Sequence, residues 1–147
     1  MISYCPEINN EVPAILLMSH GLFAKELYGS AKLIAGENVE NIAYMCLEEG
    51  DNPDDFRQSV AEMLAKLPED KVVLVDLLGG TPCNSFVKAL NVSENKCNAI
   101  AGMNLPMLLE LIGMRNGMNV TQLGELAVES GRQSVCNITE RLLGVKY

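Results

Sequence analysis

The sequence predicts an α/β domain built on a mostly parallel sheet with helices on both faces. Three observations lead there. Short apolar runs alternate with amphipathic helical patterns along the chain, and no low-complexity linker interrupts them. The clearest run, KVVLVDL at residues 71–77, has an unbroken apolar centre, which suits a strand buried on both faces. Capping and turn residues stand between the two kinds of segment.

Each element can be justified in order. Residues 13–19 are an apolar run of strand length. Residues 22–35 follow with Phe23, Leu27, Ala31 and Ile34 at helical spacing, a face expected to anchor the helix, and Gly36 is placed to end it. A second strand covers 42–47. DNPDDF then announces a helix: Asn52 suits its cap, Pro53 its first position, and Asp54 and Asp55 the positive end of its dipole. That helix should run to about Leu67, where Pro68 stops it. After the strand at 71–77, GGTP turns into a third helix carrying Phe86, Val87 and Leu90. A fourth strand is expected at 97–101, a fourth helix at 105–114 and a fifth at 121–130. The tail RQSVCNITERLLGVKY breaks strict alternation and reads as a short strand leading into a helical end. Residues 13–147 therefore read as one domain, and residues 1–12 as an N-terminal extension with no assigned role.

Bulk properties narrow the function. A chain of 147 residues suits a single domain with a real core. The net charge of −8 opposes general nucleic-acid binding, which needs a basic footprint. Its apolar runs are too short to span a bilayer, and MISYCPEINNEV lacks the basic head and long apolar segment of a secretory signal. Five cysteines form no CxxC pair, and one histidine is all that could join them, which argues against a zinc site. The odd cysteine count suits a reducing compartment, so a cytoplasmic location is expected. The eight methionines read as core or interface packing, and Cys83 as a small buried side chain.

In parallel α/β sheets the working site lies outside the carboxyl ends of the strands, near a switch point in strand order. Three features fall there. His20 follows the first strand, Asp76 lies near the end of the third, and Gly79, Gly80 and Thr81 open the third helix. With the first and third strands adjacent, their axes lie roughly 5 Å apart and the two side chains can meet. A carboxylate on Nδ1 fixes the imidazole tautomer and leaves the Nε2 lone pair facing out as a nucleophile. The glycine pair, Thr81 and a helix N-terminus form an anion cradle, and Gly21 beside His20 begins the first helix. Nucleophile and cradle together point to phosphoryl transfer through a phosphohistidine. Taken singly, each feature has a plainer reading: a structural histidine, a turn-capping aspartate, an ordinary strand-to-helix connection. Their joint placement is what favours chemistry. Asn104 and Pro106, after the fourth strand, are candidates to line the same cleft. No metal or nucleotide cofactor is implied, since the chain lacks a GxxxxGK[ST] loop.

At these residues the chain resembles the mannose-type enzyme IIA components of the bacterial phosphoenolpyruvate-dependent sugar phosphotransferase system (PTS). The resemblance rests on SHGLFA (19–24), DLLGGTPCN (76–84), AGMNLPMLLE (101–110) and AVESGR (127–132), in the family's order. It implies that His20 accepts a phosphoryl group from the phosphocarrier HPr and passes it to a cognate enzyme IIB, which serves membrane components IIC and IID. It implies that Asp76 orients His20 and that Thr81 helps hold the phosphoryl oxygens, with Gly21, Gly79 and Gly80 around them. The implied fold is a three-layer sandwich with a four-stranded parallel sheet in order 2-1-3-4. A C-terminal antiparallel strand, at RQSVCNIT, would be exchanged in a homodimer. The implied protein is cytoplasmic, associating at most peripherally with the transporter, and its sugar is of mannose or hexosamine type. Ser19 stands where relatives often have Thr, and Cys83 where an aromatic residue is common.

Three other readings compete. A receiver-like module phosphorylated on Asp76 would need an acidic pair after the first strand, where the chain has SHGLFA. The phosphoryl donor subunit of dihydroxyacetone kinase is related, but DLLGGTP fits the sugar family better. A non-catalytic regulator of the same fold would have no need of both His20 and Asp76.

Overall fold

A computed structural model describes residues 1–37, 39–90 and 96–147. Its elements are β1 (Ile2–Tyr4), β2 (Ala14–His20), α1 (Phe23–Ala35), β3 (Ile42–Leu47), α2 (Pro53–Lys66) and β4 (Lys71–Val75). These are followed by α3 (Thr81–Ala89), β5 (Asn98–Ala101), α4 (Leu105–Met114), α5 (Val120–Gln133) and α6 (Ile138–Leu143). The five strands form one sheet in the order β1-β3-β2-β4-β5. β2 lies between β3 and β4 and is parallel to both, and β4 is parallel to β5.

Alternation along the buried strands sorts the core into two halves. Ile15 and Leu17 of β2, with Val72 and Leu74 of β4, pack against Ala24, Leu27 and Ala31 of α1 and against Leu108, Leu111 and Leu123 of α4 and α5. Leu16 and Met18, with Val73 and Val75, face the other way onto Phe56, Val60 and Leu64 of α2 and Phe86 of α3. Because consecutive strand side chains point to opposite faces, a run with no polar alternation requires a cover on both sides. The result is a three-layer α/β/α arrangement.

Two asparagine side chains cap helices, the one at Asn52 as the sequence predicts. Asn52 accepts the Asp54 and Asp55 N–H groups at the head of α2. Asn104 accepts the Met107 N–H at the head of α4. The helical face of α1 is rotated from the expected one. Ala24, Leu27 and Ala31 are buried, whereas Phe23 and Ile34 are exposed. The helix turns its small residues to the sheet, where close approach leaves no room for a phenyl ring. Val87 of α3 is likewise exposed.

The expected C-terminal antiparallel strand is not formed. α5 continues through Gln133, residues 134–137 are irregular, and Asn137 accepts the Thr139 and Glu140 N–H groups to start α6. α5 takes in Arg132 and Gln133 and the cap at Asn137 starts α6, so both helices run into the segment expected to form the strand. Among the described residues no strand lies on the outer edge of β5.

The antiparallel strand comes instead from the N-terminal extension. Ile2, Ser3 and Tyr4 pair with Cys46, Met45 and Tyr44, covering the free edge of β3. Tyr4, Tyr28 and Tyr44 cluster there, with ring centroids 5.3–5.7 Å apart. Further along the extension, buried Asn41 donates to the carbonyls of Asn9 and Val12 and accepts the Asn9 N–H.

Candidate functional site

The carboxyl ends of β2 and β4 carry the two residues on which the site turns. β2 ends at His20, and β4 is followed at once by Asp76, whose own N–H donates to the Met18 carbonyl at 3.2 Å. Asp76 Oδ2 lies 2.8 Å from His20 Nδ1 and accepts the His20 backbone N–H at 2.8 Å. Asp76 Oδ1 is buried and has no hydrogen-bond partner among the described residues. The carboxylate is therefore committed to His20. It is 13% exposed and the imidazole 46% exposed, so the pair has a sheltered base and an accessible ring.

Backbone turns present the histidine. Gly21 has φ +55°, and its N–H donates to the Leu47 carbonyl at 2.7 Å across the end of β3. Ser19, fully buried, accepts the Ala24 N–H at 2.7 Å and donates to the Gly21 carbonyl at 3.1 Å. One hydroxyl thus ties the end of β2 to the first turn of α1. Gly21 is a presenting turn whose N–H is already occupied.

The GGTP segment lies against the exposed edge of the ring. Gly80 caps α3 in an extended conformation, and Thr81 and Pro82 begin the helix. The ideal Cβ position at Gly80 is 2.6 Å from His20 Cε1 and 3.3 Å from Nε2. Asn84 donates to the Gly79 carbonyl at 2.9 Å and holds the glycine turn onto the helix that follows it. No side chain caps the N-terminus of α3. His20, Asp76, Gly80 and the head of α3 are therefore one constellation. An uncapped helix N-terminus beside an accessible imidazole nitrogen can receive an anion bound to that nitrogen.

Asn104 stands apart from this group. Its Oδ1 caps α4 and its Nδ2 donates to the Gly131 carbonyl at 3.2 Å. It lines a groove of about 430 Å³ beside β5, together with Ala101, Met107, Arg132 and Val135. The sequence reading had not singled out Asn84 or the Ser19 hydroxyl bridge. Asn84 lies inside the DLLGGTPCN stretch, and an Asn five residues after the first of two turn glycines was the available signal. Leu22, Leu77 and Leu78, in the two turns that follow His20 and Asp76, and Phe23 at the start of α1 are all exposed. Among the described residues no group of three metal-ligating side chains occurs, and no helix is long and apolar enough to cross a membrane.

The EIIA-man family model, described as PTS system fructose IIA component, matches residues 14–128. The chain belongs to this family. The match covers every element from β2 to α4 and most of α5, and so includes the whole constellation. The chain is 35% identical over 125 residues to the PTS system mannose-specific EIIAB component of Escherichia coli strain K12, covering 83% of this chain but 38% of that protein. It thus spans well under half the length of that relative. It is 28% identical to the PTS system fructose-specific EIIA component of Bacillus subtilis strain 168, covering 90% of this chain and 91% of the relative. Among solved structures, PTS component EIIA from Streptococcus agalactiae superposes with a TM-score of 0.78 at 29% identity, covering 86% of this chain and 97% of that one. The mannose/sorbose-specific IIA subunit from Enterococcus faecalis gives a TM-score of 0.76, also at 29% identity, covering 86% and 95%. The chain shares the mixed α/β fold of this family.

Proposed function

We propose that this IIA chain carries a phosphoryl group on His20 Nε2, taking it from HPr and giving it to a cognate enzyme IIB during uptake of a mannose- or hexosamine-type sugar. The observation that carries the reading is the Nδ1 contact of His20 with Asp76 Oδ2, which leaves Nε2 as the accessible nitrogen. A ring protonated on Nδ1 has its free lone pair on Nε2.

The Nε2 lone pair attacks phosphorus and a bond forms there, while the bond from phosphorus to the donor's leaving atom breaks and that atom keeps the pair. The imidazole becomes cationic, and the Asp76 carboxylate stabilises it through the Nδ1 proton. Transfer to the acceptor reverses these roles. Thr81 and the backbone around Gly79 and Gly80, at the head of α3, receive the phosphoryl oxygens. Gly21 contributes by holding the turn. No cofactor is needed, because the protein's work is alignment and charge stabilisation. The exposed Leu22, Phe23, Leu77 and Leu78 give protein partners an apolar surface beside the ring.

The same reading makes the protein a cytoplasmic homodimer that meets the membrane components only through its partners. Support for a dimer comes from the outer edge of β5, which no strand covers among the described residues, and from exposed Val135, Ile138, Leu142 and Leu143 in the C-terminal segment. Asp76 as the phosphorylated group fits less well, since Oδ2 already accepts two hydrogen bonds and Oδ1 is buried.

The test is incubation with labelled phosphoenolpyruvate, enzyme I and HPr. The label should be acid-labile, alkali-stable and absent from a His20→Ala variant. Label retained by that variant sinks the proposal.

A further inference from the structure

The two adjacent glycines of GGTP meet different constraints. Gly79 has φ +79°, a conformation that L side chains rarely adopt, yet a Cβ there would meet nothing within 4 Å. Gly80 is the reverse. Its φ of −71° and ψ of 168° suit any residue, but its Cβ would lie 2.6 Å from His20 Cε1 and 3.3 Å from Nε2. Backbone freedom explains the first glycine. Only contact with the imidazole explains the second.

From this we infer that Gly80 is a positioning residue for His20: its missing side chain leaves the space that the Cε1–Nε2 edge of the ring needs while Asp76 holds Nδ1. Oδ2 holds Nδ1 at 2.8 Å, and in that position the ring passes 2.6 Å (Cε1) and 3.3 Å (Nε2) from where a Cβ on residue 80 would stand. A methyl group at Gly80 needs about 1 Å more room to reach ordinary carbon–carbon contact. A ring displaced or turned by that much cannot keep the 2.8 Å Nδ1–Oδ2 geometry, and its hold on the tautomer weakens. The Gly80 N–H adds little to anion binding, because it donates back to the Leu77 carbonyl at 3.4 Å. Gly80 therefore acts through His20, and the phosphoryl oxygens fall to Thr81 and the rest of the helix head.

The kinetic consequence rests on His20 being the phosphoryl acceptor; the structural consequence does not. The experiment therefore compares Gly80→Ala in the full chain and in a His20→Ala chain by denaturant unfolding. Replacing the α3 N-cap glycine carries the same capping cost in both backgrounds, so that cost cancels. The folding equilibrium constant should fall at least tenfold further in the chain that keeps His20. If Gly80→Ala fails to fold alone but folds together with His20→Ala, the coupling is already demonstrated. An equal loss in both backgrounds, or failure to fold in both, overturns the inference. In folded Gly80→Ala, ¹⁵N NMR should show His20 losing its preference for the Nδ1–H tautomer, and an unchanged tautomer overturns the inference too. Phosphoryl acceptance should then slow more than tenfold at saturating phosphorylated HPr, with little change in the half-saturating concentration. Absence of any phosphorylation in the unmodified chain would refute the proposed function while leaving the unfolding and NMR results to decide the role of Gly80.

Discussion

Asp76 Oδ2 accepts two N–H groups from one residue, the backbone amide of His20 and its ring Nδ1, each at 2.8 Å. Main chain and side chain of the histidine are thus referenced to a single oxygen. Asp76→Asn keeps the shape and can keep one of these bonds, but an amide cannot stabilise an imidazolium as a carboxylate does. Phosphoryl acceptance should fall by roughly 10²–10⁴-fold, the scale on which orienting carboxylates act on catalytic histidines. Rapid-quench transfer from labelled HPr reads this, with circular dichroism confirming the fold. A rate within threefold of the unmodified protein would remove Asp76 from the mechanism.

Ser19 invites the next prediction, because its buried hydroxyl joins the end of β2 to the start of α1. Ser19→Ala leaves the Ala24 N–H without its partner and should cost about 0.5–2 kcal/mol, the range for losing a helix cap. Ser19→Thr keeps the oxygen and should recover most of that loss. Urea denaturation of the three proteins measures it. Equal midpoints for the Ala variant and the unmodified chain would show that water serves the helix end as well as Ser19 does.

The pairing of His20 with Asp76 was legible because it depends only on two residues ending adjacent parallel strands. The sheet and both cores followed from unbroken apolar runs, which a parallel sheet with two covered faces requires. Other features depend on distances that no periodicity encodes. The close fit at Gly80 exists because the ring of His20, far earlier in the chain, comes to 2.6 Å from where a Cβ would stand. β1 was missed because its three residues carry too little pattern, and its partner strand lies some forty residues along the chain. Phe23 was assigned to the core by spacing, but the inward face of α1 is set one residue later, at Ala24, by the close fit of small residues to the sheet. The expected C-terminal strand gave way to a helix cap at Asn137; that segment breaks strict alternation, and the antiparallel strand there was implied by the family resemblance.

Asn41 explains why the N-terminal extension is ordered. It is fully buried, has φ +55°, and bonds to both Asn9 and Val12. Asn41→Ala loses all of these bonds and keeps the strained backbone, so a loss of about 3 kcal/mol is expected from unsatisfied groups and left-handed conformation together. Asn41→Gly relieves only the conformational part and should be more stable than the Ala variant by about 1 kcal/mol. Urea unfolding gives both values. If Ala equals or exceeds Gly, backbone strain at this position is not significant.

Cys97 provides a pH-dependent test of the packing near β5. Burial pushes its thiol up to about 11 from an ordinary value of 9.0, against a smaller opposing effect of Lys71. The folded chain keeps a proton that the unfolded chain releases more readily. Stability from this group is therefore complete below about pH 9 and is lost as pH rises toward 11. Two consequences can be measured. At pH 8 the Cys97 thiolate is about a hundredfold scarcer than that of an ordinary thiol, so alkylation followed by peptide mass spectrometry should find it far slower than exposed Cys136. A Cys97→Val variant should also lose less stability than the unmodified chain between pH 9 and 11. Alkylation of Cys97 at the rate of Cys136 would mean that the edge of β5 opens readily, and the stability difference between the two proteins should then vanish as well.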